Sequence, residues 1–243
     1  MRQLPQTAEP DPFTDRYEAD LCRGIGLSGE SREFFARGRL GWLAVCLRAR
    51  AHAAERFLDY GCGTGLAAAL VRELLAVREY VGVDVSAEAL AAARERHGGS
   101  AVSFIEIGCF QPAGDFDVVY CNGVFHHVPP GERPAAVRAI RNALRPGGLF
   151  ALWENNPWSL SARWVMARIP FDREARMVYP AAARRLLRAA GLEIVSTHYL
   201  FIFPRFLSAA RRLERTLSRW PLGAQYQVLA RRPADESRAG GAA

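Results

Sequence analysis

Three groups of residues in this chain have the types and spacing to do chemistry together. Asp59, Gly61, Gly63 and Gly65 follow the apolar pair Phe57-Leu58 in the pattern D-x-G-x-G-x-G. Glycines at alternate positions let a chain leave a buried strand in a sharp turn with no side chains over the backbone, so a ligand can lie against main-chain amides. Asp84 ends the next apolar run, Tyr80 to Val83, 23 residues beyond Gly61, close to the offset of about 20 at which a strand-end carboxylate meets ribose hydroxyls. The adjacent His126 and His127, and later Glu154, are proton acceptors. An imidazole with an unperturbed pKa of about 6.5 suits the removal of a proton from a hydroxyl near neutral pH.

The elements around these residues predict how they are positioned. Leu66, Leu70 and Leu74 recur every fourth residue with Val71 and Leu75 beside them, which reads as a helix packed on a sheet. The glycine turn therefore joins a strand to a helix N-terminus. Ser86 caps a helix after Asp84, with Glu88 in its first turn. Val102–Ile107 and Asp115–Asn122 read as the third and fourth strands. Pro134 opens a helix carrying Val137, Ile140 and Leu144, which Arg145-Pro146-Gly147-Gly148 ends before a strand reaching Trp153-Glu154. Strands alternating with helices predict an α/β parallel sheet, and ligands gather beyond the carboxyl ends of such strands. Asn122, Phe125, His126 and His127 should stand there, and Glu154 with them.

Ser31 to about Ala54 predicts a helix ahead of the first strand, with Arg37 in reach of a cofactor carboxylate. Pro180 opens a later helix closed by Gly191. Leu192–Phe203 predicts a sixth strand with an aromatic end, Phe206–Trp220 a basic helix, and Gly223–Ala230 a last strand. Between the fifth strand and Pro180, residues 155–179 are too long for a plain connection and are expected to cap the site.

A dinucleotide fingerprint, G-x-G-x-x-G, needs glycine where Leu66 stands. The acid-glycine turn instead resembles motif I of the class I S-adenosylmethionine (SAM) dependent methyltransferases. FDVVYCN and the residues after it resemble motif IV, and LRPGGLFAL the entry into strand five. The resemblance covers roughly residues 55 to 231. The run Glu154-Asn155-Asn156-Pro157-Trp158, with later PFD and PLGAQY, is similar to a bacterial subgroup of small-molecule methyltransferases.

The resemblance implies a Rossmann-like, seven-stranded, mostly parallel sheet with an antiparallel last strand, helices on both faces, an N-terminal helix and a cap insertion. It implies SAM as cofactor and S-adenosylhomocysteine as product. It puts Asp59, Gly61, Cys62, Gly63, Gly65, Asp84, Val85, Cys109, Phe110 and Asn122 at the cofactor, with Asp59 accepting from the cofactor amine. The family commonly has an acid after the third strand, whereas here Gly108 is followed by Cys109 and Phe110. A backbone contact with Phe110 stacked on the adenine is expected instead. His126, His127 and Glu154 are the candidate catalytic groups. Phe125, Asn155, Asn156, Trp158 and Tyr199 are the candidate acceptor contacts, with Trp153, Trp164 and Phe203 as further walls.

Length and composition bound the rest. The chain has 243 residues, 50% of them apolar, room for one α/β domain over 29–231 flanked by an arm (1–28, carrying Phe13 and Tyr17) and a disordered tail (232–243). A net charge of +7 without a compact basic run argues against nucleic acid as partner. Arg211, Arg212, Arg215 and Arg219 read as the solvated face of an amphipathic helix, with contact to an anionic membrane or lipid acceptor as the less favoured alternative. Five cysteines without a C-x-x-C, and an N-terminus lacking a signal sequence, suit a reducing cytoplasm. No window offers 18 uncharged apolar residues, so stable membrane insertion is not expected. The expected activity is methyl transfer to a small molecule, on an oxygen of a secondary metabolite or lipid-like compound, by an enzyme that could be a homodimer. The alternatives are a non-catalytic SAM-binding or regulatory domain and, less favoured by Leu66, an NAD-linked oxidoreductase.

Overall fold

Side chains in a strand alternate between the two faces of its sheet, and here both faces are apolar. In β1 (Arg56–Tyr60) Phe57 enters one core with Tyr80, Val118 and Leu149, while Leu58 and Tyr60 enter the other with Val81, Val119 and Phe150. Burial on both faces is what a parallel sheet covered by helices requires. The computed structural model describes residues 29–168 and 175–234. The expected arm, residues 169–174 of the expected cap and residues 235–243 of the expected tail lie outside them.

The sheet has seven strands in the order β3-β2-β1-β4-β5-β7-β6. β1, β2 (Glu79–Asp84), β3 (Val102–Glu106), β4 (Phe116–Asn122) and β5 (Leu144–Asn155) are parallel. β7 (Gln225–Arg231) inserts antiparallel between β5 and β6 (Glu193–Leu200). This is the expected seven-stranded arrangement. α1 (Arg32–Arg48), α2 (Leu66–Leu75) and α3 (Ala87–His97) cover the first face, and α4 (Arg133–Ala143) and α6 (Pro180–Ala189) the second. α5 (Leu160–Met166) lies in the stretch expected as a cap, and α7 (Glu214–Leu217) is a single turn. Local chemistry explains the helix starts: Ser31 and Ser86 accept from Phe34 N and Ala89 N, each at 3.1 Å, and Pro134 and Pro180 occupy first-turn positions. Among the described residues Cys46, Cys62, Cys109 and Cys121 are free thiols.

Two stretches differ from expectation. The sixth strand stops at Leu200 rather than Phe203, because Phe201 takes a φ of +63° and swings its ring to 4.9 Å from Phe35 of α1. Gly38 makes room, since a Cβ there would lie 2.6 Å from that ring. Phe203 thus lies beyond the end of the strand. The expected basic helix is a 3-10 helix, Arg205–Leu213, broken at Leu207 and followed by α7. Glu214 accepts from Ile202 N at 3.1 Å and Phe203 N at 3.2 Å, satisfying amides that have left the sheet.

The β3-to-β4 connection, residues 107–115, contains no helix and leaves a groove of about 210 Å³ between Phe110, Phe116, Arg56 and Glu79. Phe57 is fully buried and stacked on Tyr80, 6.1 Å between ring centroids. Phe57→Ala should therefore lower the unfolding free energy by about 3–5 kcal/mol in urea denaturation, and a loss below about 1 kcal/mol would contradict this packing.

Candidate active site

The strand order reverses between β1 and β4, whose onward connections leave toward opposite faces and open the carboxyl edge of the sheet. Gly61, Gly63 and Gly65 turn there with φ of +81°, +53° and +78°. Gly61 N and Cys62 N both donate to Val83 O, at 2.7 and 3.0 Å, which ties the turn to β2. A Cβ on Gly61 would lie 2.2 Å from Val124, whereas one on Gly63 would meet nothing within 4 Å. The turn is therefore closed behind and open in front. Asp84 accepts from Gly63 N at 2.7 Å with one oxygen and from Ser86 N at 3.0 Å with the other. A carboxylate has about four acceptor positions, so hydroxyls of a ligand can still be taken. α2 begins at Gly65 with no side-chain cap and no acid in its first turn, leaving amides and the positive end of its dipole for an anionic group.

Asp59 is placed differently from expectation. It points to the first face, is 3% exposed, and accepts from the Tyr80 hydroxyl at 2.7 Å instead of opening toward a ligand amine. Burial pushes its carboxyl up to about 7, the Tyr80 hydrogen bond opposing the shift and the charge of Asp84 adding to it. Cys62 also turns inward, where burial raises its thiol, so only its backbone reaches the open side. Beside Asp59 lies a group not foreseen from sequence. Buried Arg39 donates to the Tyr120 hydroxyl at 3.1 Å and to Gln225 at 3.0 Å, and Gln225 donates to Asn155 at 3.2 Å. Arg37, expected at a cofactor, instead pairs with Glu73 at 2.6 Å on the surface.

Across the edge, β4 and β5 bring His126 and Glu154 together. Gly123 N donates to Trp153 O at 2.9 Å, so the chain after Asn122 bends over the end of β5. His126 Nδ1 lies 2.6 Å from one oxygen of Glu154, and Phe125 N donates to the other at 2.8 Å. Both side chains are buried, while His127 is half-buried with its ring 4.1 Å from that of His126. A neutral imidazole that donates from Nδ1 carries its lone pair on Nε2, the arrangement a carboxylate-braced base needs.

The remaining candidates divide. Asn122 ends β4 partly exposed at the open edge, and Val85 stands exposed just past Asp84. Cys109 is exposed, whereas Phe110 turns its ring to 6.2 Å from Phe116 at the start of β4, away from the carboxyl edge where adenine was expected. Phe125 is fully buried in the second core rather than lining an acceptor site. Asn156 is fully buried too: its Nδ2 donates to Pro221 O and Gly223 O at 3.0 and 2.7 Å, and its oxygen accepts from Trp158 N. With both amide hydrogens used and its side chain fully buried, Asn156 clasps two loops and has no donor left for a substrate. Trp158, exposed, and Tyr199, buried, lie 6.4 Å apart by ring centroid. Trp153 is core.

The Asp59 environment makes stability depend on pH. Because the folded pKa lies above the unfolded value of about 3.9, the folded protein keeps a proton that the unfolded chain releases. Stability therefore falls as pH rises from about 4 to about 7 and is level above. Relative to Asp59→Asn, the wild type should lose about 1 kcal/mol per pH unit in that window in urea titrations. Parallel curves for the two proteins would show that Asp59 titrates as an ordinary carboxylate.

A family model described as a methyltransferase domain matches residues 58–150, the segment from β1 into β5. Ubiquinone biosynthesis O-methyltransferases of Neisseria meningitidis serogroup C and Burkholderia orbicola are 31% and 32% identical over 160 and 174 residues, which is 59% and 65% of this chain and 66% and 71% of theirs. Another similar protein, uncharacterized and from Synechococcus, is matched over 25% of its length, so the chain spans between a quarter and about seven tenths of these curated relatives. A SAM-dependent methyltransferase from Mesorhizobium loti has a TM-score of 0.57 at 21% identity, over 77% of this chain and 96% of its own. That likeness speaks for the fold, and the sequence matches speak for descent. The chain belongs to the class I S-adenosylmethionine-dependent methyltransferases.

Proposed function

We propose that this chain methylates an oxygen of a small, largely apolar molecule, with His126, braced by Glu154, as proton acceptor. The observation that carries this reading is the buried His126–Glu154 pair at the ends of β4 and β5, with β4 the neighbour of the strand that ends in the glycine turn. The name shared by the Neisseria and Burkholderia relatives, O-methyltransferase, supports oxygen as the target atom.

The residues present fit the cofactor. Gly63 has open space in front of its backbone, the uncapped start of α2 suits the carboxylate of an amino-acid moiety, and Asp84 has acceptor capacity for ribose hydroxyls. Val85 offers an apolar surface next to Asp84 for the base. SAM supplies a sulfonium-activated methyl group, so holding the acceptor oxygen in line does most of the work. Orientation of this kind is worth effective molarities of about 10⁵–10⁸ M. His126 Nε2 takes the hydroxyl proton as the oxygen becomes a nucleophile. Glu154 does not exchange that proton; it fixes the tautomer and offsets the charge of the imidazolium, and Phe125 N holds its second oxygen in place. The exposed Trp158 and the buried Tyr199 stand toward the acceptor end of the cleft.

Formation of S-adenosylhomocysteine from a panel of phenols and hydroxy acids tests the reading. His126→Gln should cut kcat by about 10²–10⁴, leave product affinity within about threefold, and remove the acid limb of the pH profile. Glu154→Gln should shift that limb to lower pH, since the imidazolium loses its counter-charge. Full activity in a folded His126→Gln would overturn the assignment, and a loss found only in His127→Gln would move it one residue. Cofactor binding with no turnover of any acceptor would support the non-catalytic alternative.

A further inference from the structure

Nine of the ten exposed large apolar side chains among the described residues fall between Trp158 and Leu222. Phe206 is 83% exposed, Leu160 77%, Trp220 64% and Leu222 57%. The loops that carry Trp158, Leu160 and Leu222 are neighbours, and Phe206 and Trp220 lie on the helical stretch that leads up to Leu222. Asn156 grips the carbonyls of Pro221 and Gly223, which sets Leu222 beside the stretch leading to Trp158 and Leu160. Ser218 O accepts from Tyr199 N at 2.6 Å, and the Trp158 ring lies 6.1 Å from Tyr179 and 6.4 Å from Tyr199.

The stretch of sequence that carries these side chains is also the basic part of the chain. Residues 155–223 hold twelve arginines against four acids, a net +8 when the whole chain is +7. The acid closest in sequence to the exposed arginines, Glu214, is turned inward onto Ile202 N and Phe203 N. The side chains of Arg212, Arg215 and Arg219 are exposed and have no hydrogen-bond or ion-pair partner among the described residues. Arg168 lies 3.5 Å over the ring of the exposed Trp164.

Aromatic and aliphatic side chains standing in water inside a field of arginines match the chemistry of a lipid headgroup layer, where rings and acyl-contacting groups sink and guanidinium groups meet phosphates. A second copy of this chain fits less well. A two-fold interface sets the same patch against itself, so arginines would face arginines, whereas interface cores are depleted in charge. A single-stranded nucleic acid would use the rings and the charge but not Leu160, Leu213 and Leu222. No helix among the described residues is long and apolar enough to cross a membrane, so attachment would be peripheral.

We infer that the surface formed by Trp158–Trp164 and Arg205–Leu222 docks this protein on an anionic bilayer, with Phe206, Trp220 and Leu222 in the interface and Arg212, Arg215 and Arg219 on the headgroup phosphates. This goes beyond methyl transfer and does not depend on it.

Co-sedimentation of the full chain with vesicles of equal parts phosphatidylglycerol and phosphatidylcholine tests the inference. Binding should exceed that to pure phosphatidylcholine by an order of magnitude or more and weaken as salt is added. The triple variants Phe206→Ser/Trp220→Ser/Leu222→Ser and Arg212→Ser/Arg215→Ser/Arg219→Ser should each lose about tenfold or more. The altered side chains are exposed, so circular dichroism should be unchanged in both. Equal binding to the two kinds of vesicle would overturn the proposal, as would retention of binding by both variants. A dimer that the apolar variant converts to a monomer would assign the face to a second copy, and tighter binding to single-stranded RNA than to vesicles would assign it to nucleic acid; either result overturns the proposal.

Discussion

The carboxylate of Asp84 is the point at which sheet, turn and helix are joined. It accepts from Gly63 N in the turn after β1 and from Ser86 N at the start of α3, so one side chain fixes two loops at neighbouring strand ends. Three residues with positive φ would otherwise make a loose turn, because glycine loses more backbone freedom on ordering than any other residue. Two hydrogen bonds to a charged acceptor, with Val83 O holding Gly61 and Cys62 from behind, offset that cost. The result is a rigid backbone wall with an open front, a shape that suits a nucleoside with charged substituents.

Beneath this wall the sheet tolerates polarity that a plain core would exclude. Asp59, Tyr80, Tyr120 and Arg39 lie on the first face between α1 and the strands, each with a partner. A buried arginine is stable here because Tyr120 and Gln225 take its donors and because Asp59 lies within electrostatic reach. Removing one member would strand the others in low dielectric, which couples α1 to the carboxyl ends of β1 and β4 and to the amino end of β7. The His126–Glu154 pair, at the ends of β4 and β5, is a second buried polar group at the same edge of the sheet.

How far these features were legible from sequence follows from how local their causes are. The glycine turn, Asp84, the Ser86 cap and the strand ends at Asn122 and Glu154 are set by residues within a few positions of one another, and the chain order alone reveals them. Arg39 meets Tyr120 across 81 residues and Gln225 across 186, and no local pattern announces such a pair. Asn156 was misplaced for the same reason: an asparagine after a strand can face a ligand or clasp a loop, and its partners, Pro221 and Gly223, are 65 and 67 residues away. Phe110 was expected on an adenine because the usual acid is missing. The helix-free connection that follows instead lets its ring fall back onto Phe116. Of the adjacent histidines, the sequence offers both as bases and chooses neither; the Glu154 carboxylate selects His126.

The account stands on Asp84 serving two masters, the turn and the ribose of the cofactor. Calorimetric titration of S-adenosylhomocysteine into the wild type and into Asp84→Ala addresses that claim directly. The account predicts that binding is lost or weakened by at least about two orders of magnitude in the variant, as removal of a charged acceptor from both partners demands. An unaltered affinity in a folded Asp84→Ala protein would contradict it and would place the cofactor elsewhere than at the front of the glycine turn.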